Sequence, residues 1–338
     1  MTETKWYARL VYVLVSLALV LGFSLVPATT SIVSAAGATG KFTIGPPVVT
    51  VTFAPGSVDP LDTGNNVSVA VDNTGRPLSN LTDIVFKFWY DSTGTANGKG
   101  DFDGVSGDVN NALVITWFEA NDTFVLVSPT ATTWALGVCT SPANLSETTG
   151  TFYFVFDIGK VAHETTGLAI WQIAALATDA ACGFDFDADD EGTAMTFYNE
   201  VSIAPAATVD WGTVPAGLAF GEGAPSEEAL GATVTYIANG DYDEKVDSDD
   251  WNGVSHTATL DVTGICNDPQ EFALKAAVNG TLPGDGLVTK TPGTTINITP
   301  GTITSEAGID ETTNTLWLKL ASTFNPDVYN GTITYSAV

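Results

Sequence analysis

Thr151-Phe-Tyr-Phe-Val-Phe-Asp-Ile158 is the stretch on which the fold turns. Apart from Asp157, every residue in it is aromatic or β-branched, types that fit a pleated surface. Both faces are apolar, so it reads as a central strand covered on two sides. Similar signals recur outward from it, bounded by turn residues. Upstream they cover Val48–Phe53, Val67–Asp72, Ile84–Tyr90, Leu113–Phe118 and Thr123–Val127. Downstream they cover Leu168–Ala177, Ala194–Ile203, Ala232–Ala238, His256–Val262, Glu271–Val278, Thr294–Thr299, Thr315–Leu320 and Gly331–Ser336. Asn239-Gly240, Asn279-Gly280 and Asn330-Gly331 read as turns, because Asn and Gly tolerate positive φ. The best helix candidate, Lys160–Thr166, is short. The pattern predicts an all-β chain of two β-sandwich domains in tandem. The Pro/Ala seam Ser202-Ile-Ala-Pro-Ala-Ala207 divides them into residues 47–203 and 204–338.

The N-terminus is of a different kind. Lys5 and Arg9 precede the uncharged apolar run Val11–Val26, and small residues follow at Val33-Ser34-Ala35-Ala36. Charge, apolar stretch and small-residue site are the secretory signal layout, and residues 1–36 are expected to be removed on export. The run has 16 residues, short of the roughly 20 that a membrane span needs. The expected location is the cell surface or the exterior. Residues 37–46 then form an N-terminal extension. In it, Lys41-Phe42-Thr43-Ile44 is strand-competent and is cut off by Gly45-Pro46-Pro47. It reads either as the first edge strand of domain one or as a donor strand for a neighbouring subunit's sheet.

The formal charge is −28, and losing Glu3, Lys5 and Arg9 makes it −29. Arg9 and Arg76 are the two arginines. Without a basic patch to release counterions, nucleic acid is excluded as a partner, and anionic lipid is disfavoured. Hydrophobic residues at 44% and aromatics at 10% give enough material for a core, so the chain is not disordered.

Three acidic clusters stand out as candidate calcium ligands, since calcium takes six to eight oxygens. They are Asp101, Asp103 and Asp108; Asp185, Asp187, Asp189, Asp190 and Glu191; and Asp241, Asp243, Glu244, Asp247, Asp249 and Asp250. Asp185-x-Asp187-x-Asp189 opens like a calcium loop. Asp190 then stands where an EF-hand needs Gly, and Thr196 where it needs Glu. Solvated loop carboxylates are the alternative.

Cys139 and Cys182 fall in one proposed domain and are the expected disulfide, because an exported chain can form one. Cys266 is left over, as a buried small hydrophobe or a cross-link to another chain. His163 and His256 are the two histidines. Neither lies in a nucleophile or metalloprotease motif, so no enzyme is expected. Of the tryptophans, Trp134, Trp211 and Trp251 fall near turns and are the candidates for exposed sugar-stacking faces. Sequons at Asn66, Asn80, Asn121, Asn144, Asn279, Asn297 and Asn330 offer glycosylation sites if the host glycosylates exported proteins.

The second block carries Val209-Asp-Trp-Gly-Thr-Val-Pro-Ala-Gly217, then Ala232-Thr-Val-Thr-Tyr-Ile-Ala-Asn-Gly240, and closes on Tyr329-Asn-Gly-Thr-Ile-Thr-Tyr335. Over residues 205–338 this resembles the immunoglobulin-like domains of secreted prokaryotic surface proteins. The first block resembles the same class through Phe124-Val-Leu-Val-Ser-Pro129 and Gly150-Thr-Phe-Tyr-Phe154. The resemblance implies an envelope, adhesive or filament-forming role and transfers no catalytic residues. The expectation is a non-catalytic structural subunit that assembles with itself through strand edges. The alternative is a monomeric module that binds carbohydrate or another ligand.

Overall fold

The structure is a computed structural model that describes residues 30–33, 39–42, 44–130, 132–204, 208–223, 227–278, 280–291, 298–308 and 310–338. Side chains are described from Ile44 onward, except that of Asp190. Strands hold 47% of the chain and helices 4%, which makes it all-β.

An N-terminal hairpin pairs β1 (Thr30–Val33) with β2 (Thr39–Phe42). A first layered unit follows. Its strands are β3 (Val48–Thr52), β4 (Ser57–Val58), β5 (Asn65–Asp72), β6 (Leu81–Asp91), β7 (Ala112–Phe118), β8 (Thr123–Ser128), β9 (Ala135–Leu136), β10 (Thr149–Asp157), β11 (Ile170–Asp179) and β12 (Gly183–Met195). Helix α1 (Lys99–Gly104) lies between β6 and β7. The four-stranded sheet β3-β5-β10-β9 faces the six-stranded sheet β4-β12-β11-β6-β7-β8. Alternate residues of each inner face meet in one core. Phe86 of β6 stacks on Phe154 of β10 at 5.2 Å, and Trp117 of β7 meets Phe152 at 4.6 Å. These rings are fully buried, and each contributes about 1.5–3 kcal/mol by leaving water.

The second unit comprises β13 (Asn199–Ile203), β14 (Glu228–Ala238), β15 (Tyr242–Ser248), β16 (Trp251–Asn252), β17 (Thr257–Leu260), β18 (Glu271–Ala277), β19 (Thr299–Gly301), β20 (Asp310–Leu320) and β21 (Ile333–Ala337). A six-stranded sheet, β13-β14-β20-β18-β17-β16, faces the three-stranded sheet β19-β15-β21. The second core gathers Val234, Tyr236, Phe272, Leu274, Leu316 and Leu318 against Tyr242, Val246 and Tyr335.

The two units meet end to end through Asn239, which is fully buried. Its Nδ2 donates to the carbonyls of Ala162 (2.7 Å) and Thr196 (2.9 Å), and its Oδ1 accepts from the Tyr198 amide (2.7 Å). Its own carbonyl accepts from the Glu164 amide. A Cβ at Gly240 would stand 2.4 Å from the Glu164 carboxylate, so a larger residue there would have to push that side chain aside. Glu306 accepts from Thr133, Asn110 Nδ2 donates to the Thr304 carbonyl, and Lys160 pairs with Glu200 at 3.0 Å.

Several expectations change. Phe152, Phe154 and Phe156 of β10 are buried but Tyr153 is 41% exposed, so this strand is covered on one face only. Residues 160–166 are irregular rather than helical, because their backbone groups serve the junction. The expected strand Ala194–Ile203 divides into the end of β12 and β13, which lie in different units. The change of sheet therefore falls between Met195 and Asn199, ahead of the Pro/Ala seam. Of the expected strand 294–299, residues 294–297 lie outside the described residues.

Candidate functional site

The acidic stretches are built into regular elements. β12 reads Gly183-Phe-Asp-Phe-Asp-Ala-Asp189 and alternates strictly, so its carboxylates share one face. Asp185 accepts from the Val49 amide at 2.8 Å, Asp187 from Val51 at 2.7 Å and Asp189 from Phe53 at 3.0 Å. These three amides point away from β5 along the open edge of β3, and a separation of 136 residues holds for each bond. The carboxylates thus tie one sheet to the edge strand of the other. Opposite them, Phe186 and Ala188 pack with Trp89 and Phe102 of α1. Asp190 lies in the same strand, and its side chain is outside the described residues.

The first cluster surrounds α1. Asp103 pairs with Lys99 at 2.7 Å and Asp101 accepts from the Gly98 amide. Asp108 accepts from the amides of Asn110 and Asn111. Lys87 closes the helix by donating to the carbonyls of Phe102 and Val105, and burial lowers its pKa. The third cluster holds β15. Asp241 is exposed at the junction, and Asp243 pairs with Lys245 at 3.6 Å. Glu244 is 1% exposed. Its Oε1 accepts from Thr312 and Asn314, while its Oε2 is buried without a partner among the described residues. Burial, with Glu244 adding to it, raises the pKa of Tyr236. Among the described residues no three His, Cys, Asp or Glu side chains converge to hold a metal.

Cys139 and Cys182, expected as a disulfide, are both free thiols, as is Cys266. They serve different loops. Cys139 Sγ accepts from the Val155 amide, and Cys182 Sγ accepts from Arg76, which also pairs with buried Asp179. Cys266 is buried with Ala273 and Ala321, and burial pushes its thiol up to about 11. His163 lies flat on Tyr90 at 4.0 Å, with Nδ1 against the Glu164 carbonyl; burial lowers its pKa. His256 lies 3.6 Å from Asp327. Asn66, Asn121, Asn144 and Asn330 are exposed and Asn80 is half-buried. Asn279, Asn297 and Thr43 lie outside the described residues, as do the side chains of Lys41 and Phe42, while Ile44 is exposed.

Two of the three tryptophans expected at the surface are in the cores: Trp134 is 3% exposed and Trp251 8%. Trp211 is half-buried and packs against Trp251 at 5.5 Å. Together they line a cavity of about 910 Å³ in the second unit. Phe272, Leu318 and Ile333 add apolar walls, and Asp210 and Asp327 are among the other residues that line it. Asp327 is held by the amides of Ser255, Val328, Val254 and His256, which bring its carboxyl down to about 2. Trp211 Nε1 is buried without a hydrogen-bond partner among the described residues. Sequence reasoning missed this cavity, because its walls come from strands far apart in the chain.

The cavity lies toward the end of the unit remote from the junction. Tyr236 pairs with Asp310 near Asn239, whereas Glu228 pairs with Trp317 at the other end, and the cavity takes Leu318 and Leu320 from that far end. Among protein-family models and curated proteins, none matches this chain.

Proposed function

We propose that this chain is an exported, non-catalytic structural subunit of a surface layer, filament or matrix, built from two immunoglobulin-like sandwiches and assembling with itself through strand edges. One observation carries the reading. The extension contains a strand, β2, that belongs to neither layered unit, and its pairing in the structure is with β1. β1 lies within residues 1–36, the stretch read as a signal peptide. Cleavage there removes the partner and leaves the backbone groups of β2 to be satisfied elsewhere. Strand addition to another sheet satisfies them.

The exposed sequon asparagines, Asn66, Asn121, Asn144 and Asn330, suit a glycosylated exterior. Calcium is the cation the acidic surface is expected to attract. Its test is a melting temperature compared between chelator and millimolar calcium, and equality removes calcium from the reading. Negative-stain electron microscopy of the mature protein at high concentration tests assembly. Regular filaments or sheets support a structural subunit, and discrete two-lobed particles overturn it.

A second reading, a monomeric binding module for glycans or another ligand, is favoured by the Trp211–Trp251 cavity. Its size falls within the roughly 300–1,000 Å³ common for ligand pockets. Saturable quenching of tryptophan fluorescence by a glycan, in a protein that stays monomeric, would favour it.

A further inference from the structure

We infer that the far-end cavity of the second unit is the acceptor for the N-terminal strand of another copy, so that subunits join head to tail. This rests on the assembly reading and names its two surfaces.

The acceptor side has three features. The facing sheets are unequal, six strands against three, with β21 at the edge of the smaller one. Val338 exchanges hydrogen bonds with Asp243 of β15, and the Asp249 amide donates to Thr332. Alternation therefore turns the backbone groups of Ile333, Tyr335 and Ala337 away from β15, on the side that β13 approaches without pairing. Ile333 and Tyr335 border the cavity. Trp211 Nε1 is a buried donor without a partner among the described residues, and a backbone carbonyl of an incoming strand is the acceptor it lacks.

The donor side matches in pattern and charge. In sequence the segment alternates Gly40, Phe42 and Ile44 with Thr39, Lys41 and Thr43, so an added extended strand would carry the two apolar residues on one face. Phe42 and Ile44 suit the apolar walls. Lys41, a cation on a chain of net charge −28, is complementary to the exposed Asp210 beside the cavity.

The occupant comes from a second copy because the chain's own strand is too short. Val48 pairs with Asp72, which pairs with Thr149, at the end of the first unit away from the junction. Residues Ile158–Ala162, at the other end of β10, meet the second unit. With Thr39–Ile44 seated, Gly45–Pro47 supply about 10 Å of reach. The first unit alone is about 30 Å long, taken from the nine residues of β10. The cavity lies a further unit away. Donor and acceptor sit at opposite ends, and such a heterologous contact propagates rather than closing on itself.

Two defective forms of the full mature chain test this. Phe42→Asp with Ile44→Asp spoils the donor and leaves the layered units untouched. Ile333→Lys spoils the acceptor, and Val328→Arg, at an exposed rim position, does so without a core change. Each is expected to remain monomeric where wild type polymerises, by light scattering and electron microscopy. A 1:1 mixture of a donor-defective and an acceptor-defective form is expected to stop at dimers. Polymerisation of the donor-defective form, or a mixture that stays monomeric while wild type polymerises, overturns this pairing and leaves assembly through another edge standing. Wild type that stays monomeric overturns both. Should Ile333→Lys unfold by circular dichroism, the Val328→Arg form decides. A synthetic peptide of residues 39–46 is expected to cap wild-type polymers and to alter Trp211 and Trp251 fluorescence. A peptide without either effect counts against the pairing.

Discussion

Single side chains carry more of this architecture than their types suggest. Asn239 satisfies two carbonyls of the junction and an amide. Asn239→Ala strands those groups, and each buried group left unpaired costs about 1–3 kcal/mol. Chemical denaturation is expected to show a loss of about 3 kcal/mol, with one transition splitting into two as the units uncouple. Asp91 is a second such residue. Burial opposes its charge, yet bonds from Ala96, Thr93 and Gln172 outweigh that and hold its carboxyl down at about 2. Its folded value lies below its unfolded one. Its contribution is therefore complete above about pH 4 and is lost as pH falls through about 2. Asp91→Asn is expected to cost roughly 2 kcal/mol at neutral pH and to flatten that part of the acid limb in a pH series of melts.

At the level of elements, apolar strands were legible and acidic ones were not. Ile84–Tyr90 and Leu113–Phe118 announce themselves because β-branched and aromatic residues fit a half-buried pleat. β12 and β15 were read as loops because aspartate is depleted in strands. The missed signal in β12 was its period: Phe184, Phe186 and Ala188 alternate with Asp185, Asp187 and Asp189. The carboxylates survive there because amides of β3 receive them. Nothing local in the sequence could reveal that partner, 136 residues away. The cavity is hidden for the same reason, and Trp251 reads as exposed because it falls near a turn. Replacing Asp185, Asp187 and Asp189 together with Ala is expected to cost about 1 kcal/mol each. Hydrogen exchange should then accelerate at Val49, Val51 and Phe53, while amides deep in β10 keep their protection.

The whole molecule is a charged body of two welded units with unlike ends. Copies of this chain, at net charge −28, or −29 without residues 1–36, repel one another at low ionic strength, and 0.1 M salt screens this beyond about 10 Å. Assembly is therefore expected to accelerate between 10 and 150 mM salt, on the order of the change in Debye length, in time-resolved light scattering. A rate that falls with salt would instead place attraction between opposite charges in control.

The bonds between β12 and β3 also act as a ruler. Their teeth fall at every second residue on both strands, about 6.7 Å apart. Sliding β12 by one position presents Phe186 and Ala188 to two of the amides, so at least two of the three bonds are lost. Sliding it by two keeps two. The chain can thus tell odd misregister from even by how many of these bonds survive. A single-residue deletion just ahead of Asp185 should be far more damaging than the same deletion between the last tooth and Met195, although both change the length of one strand by the same amount.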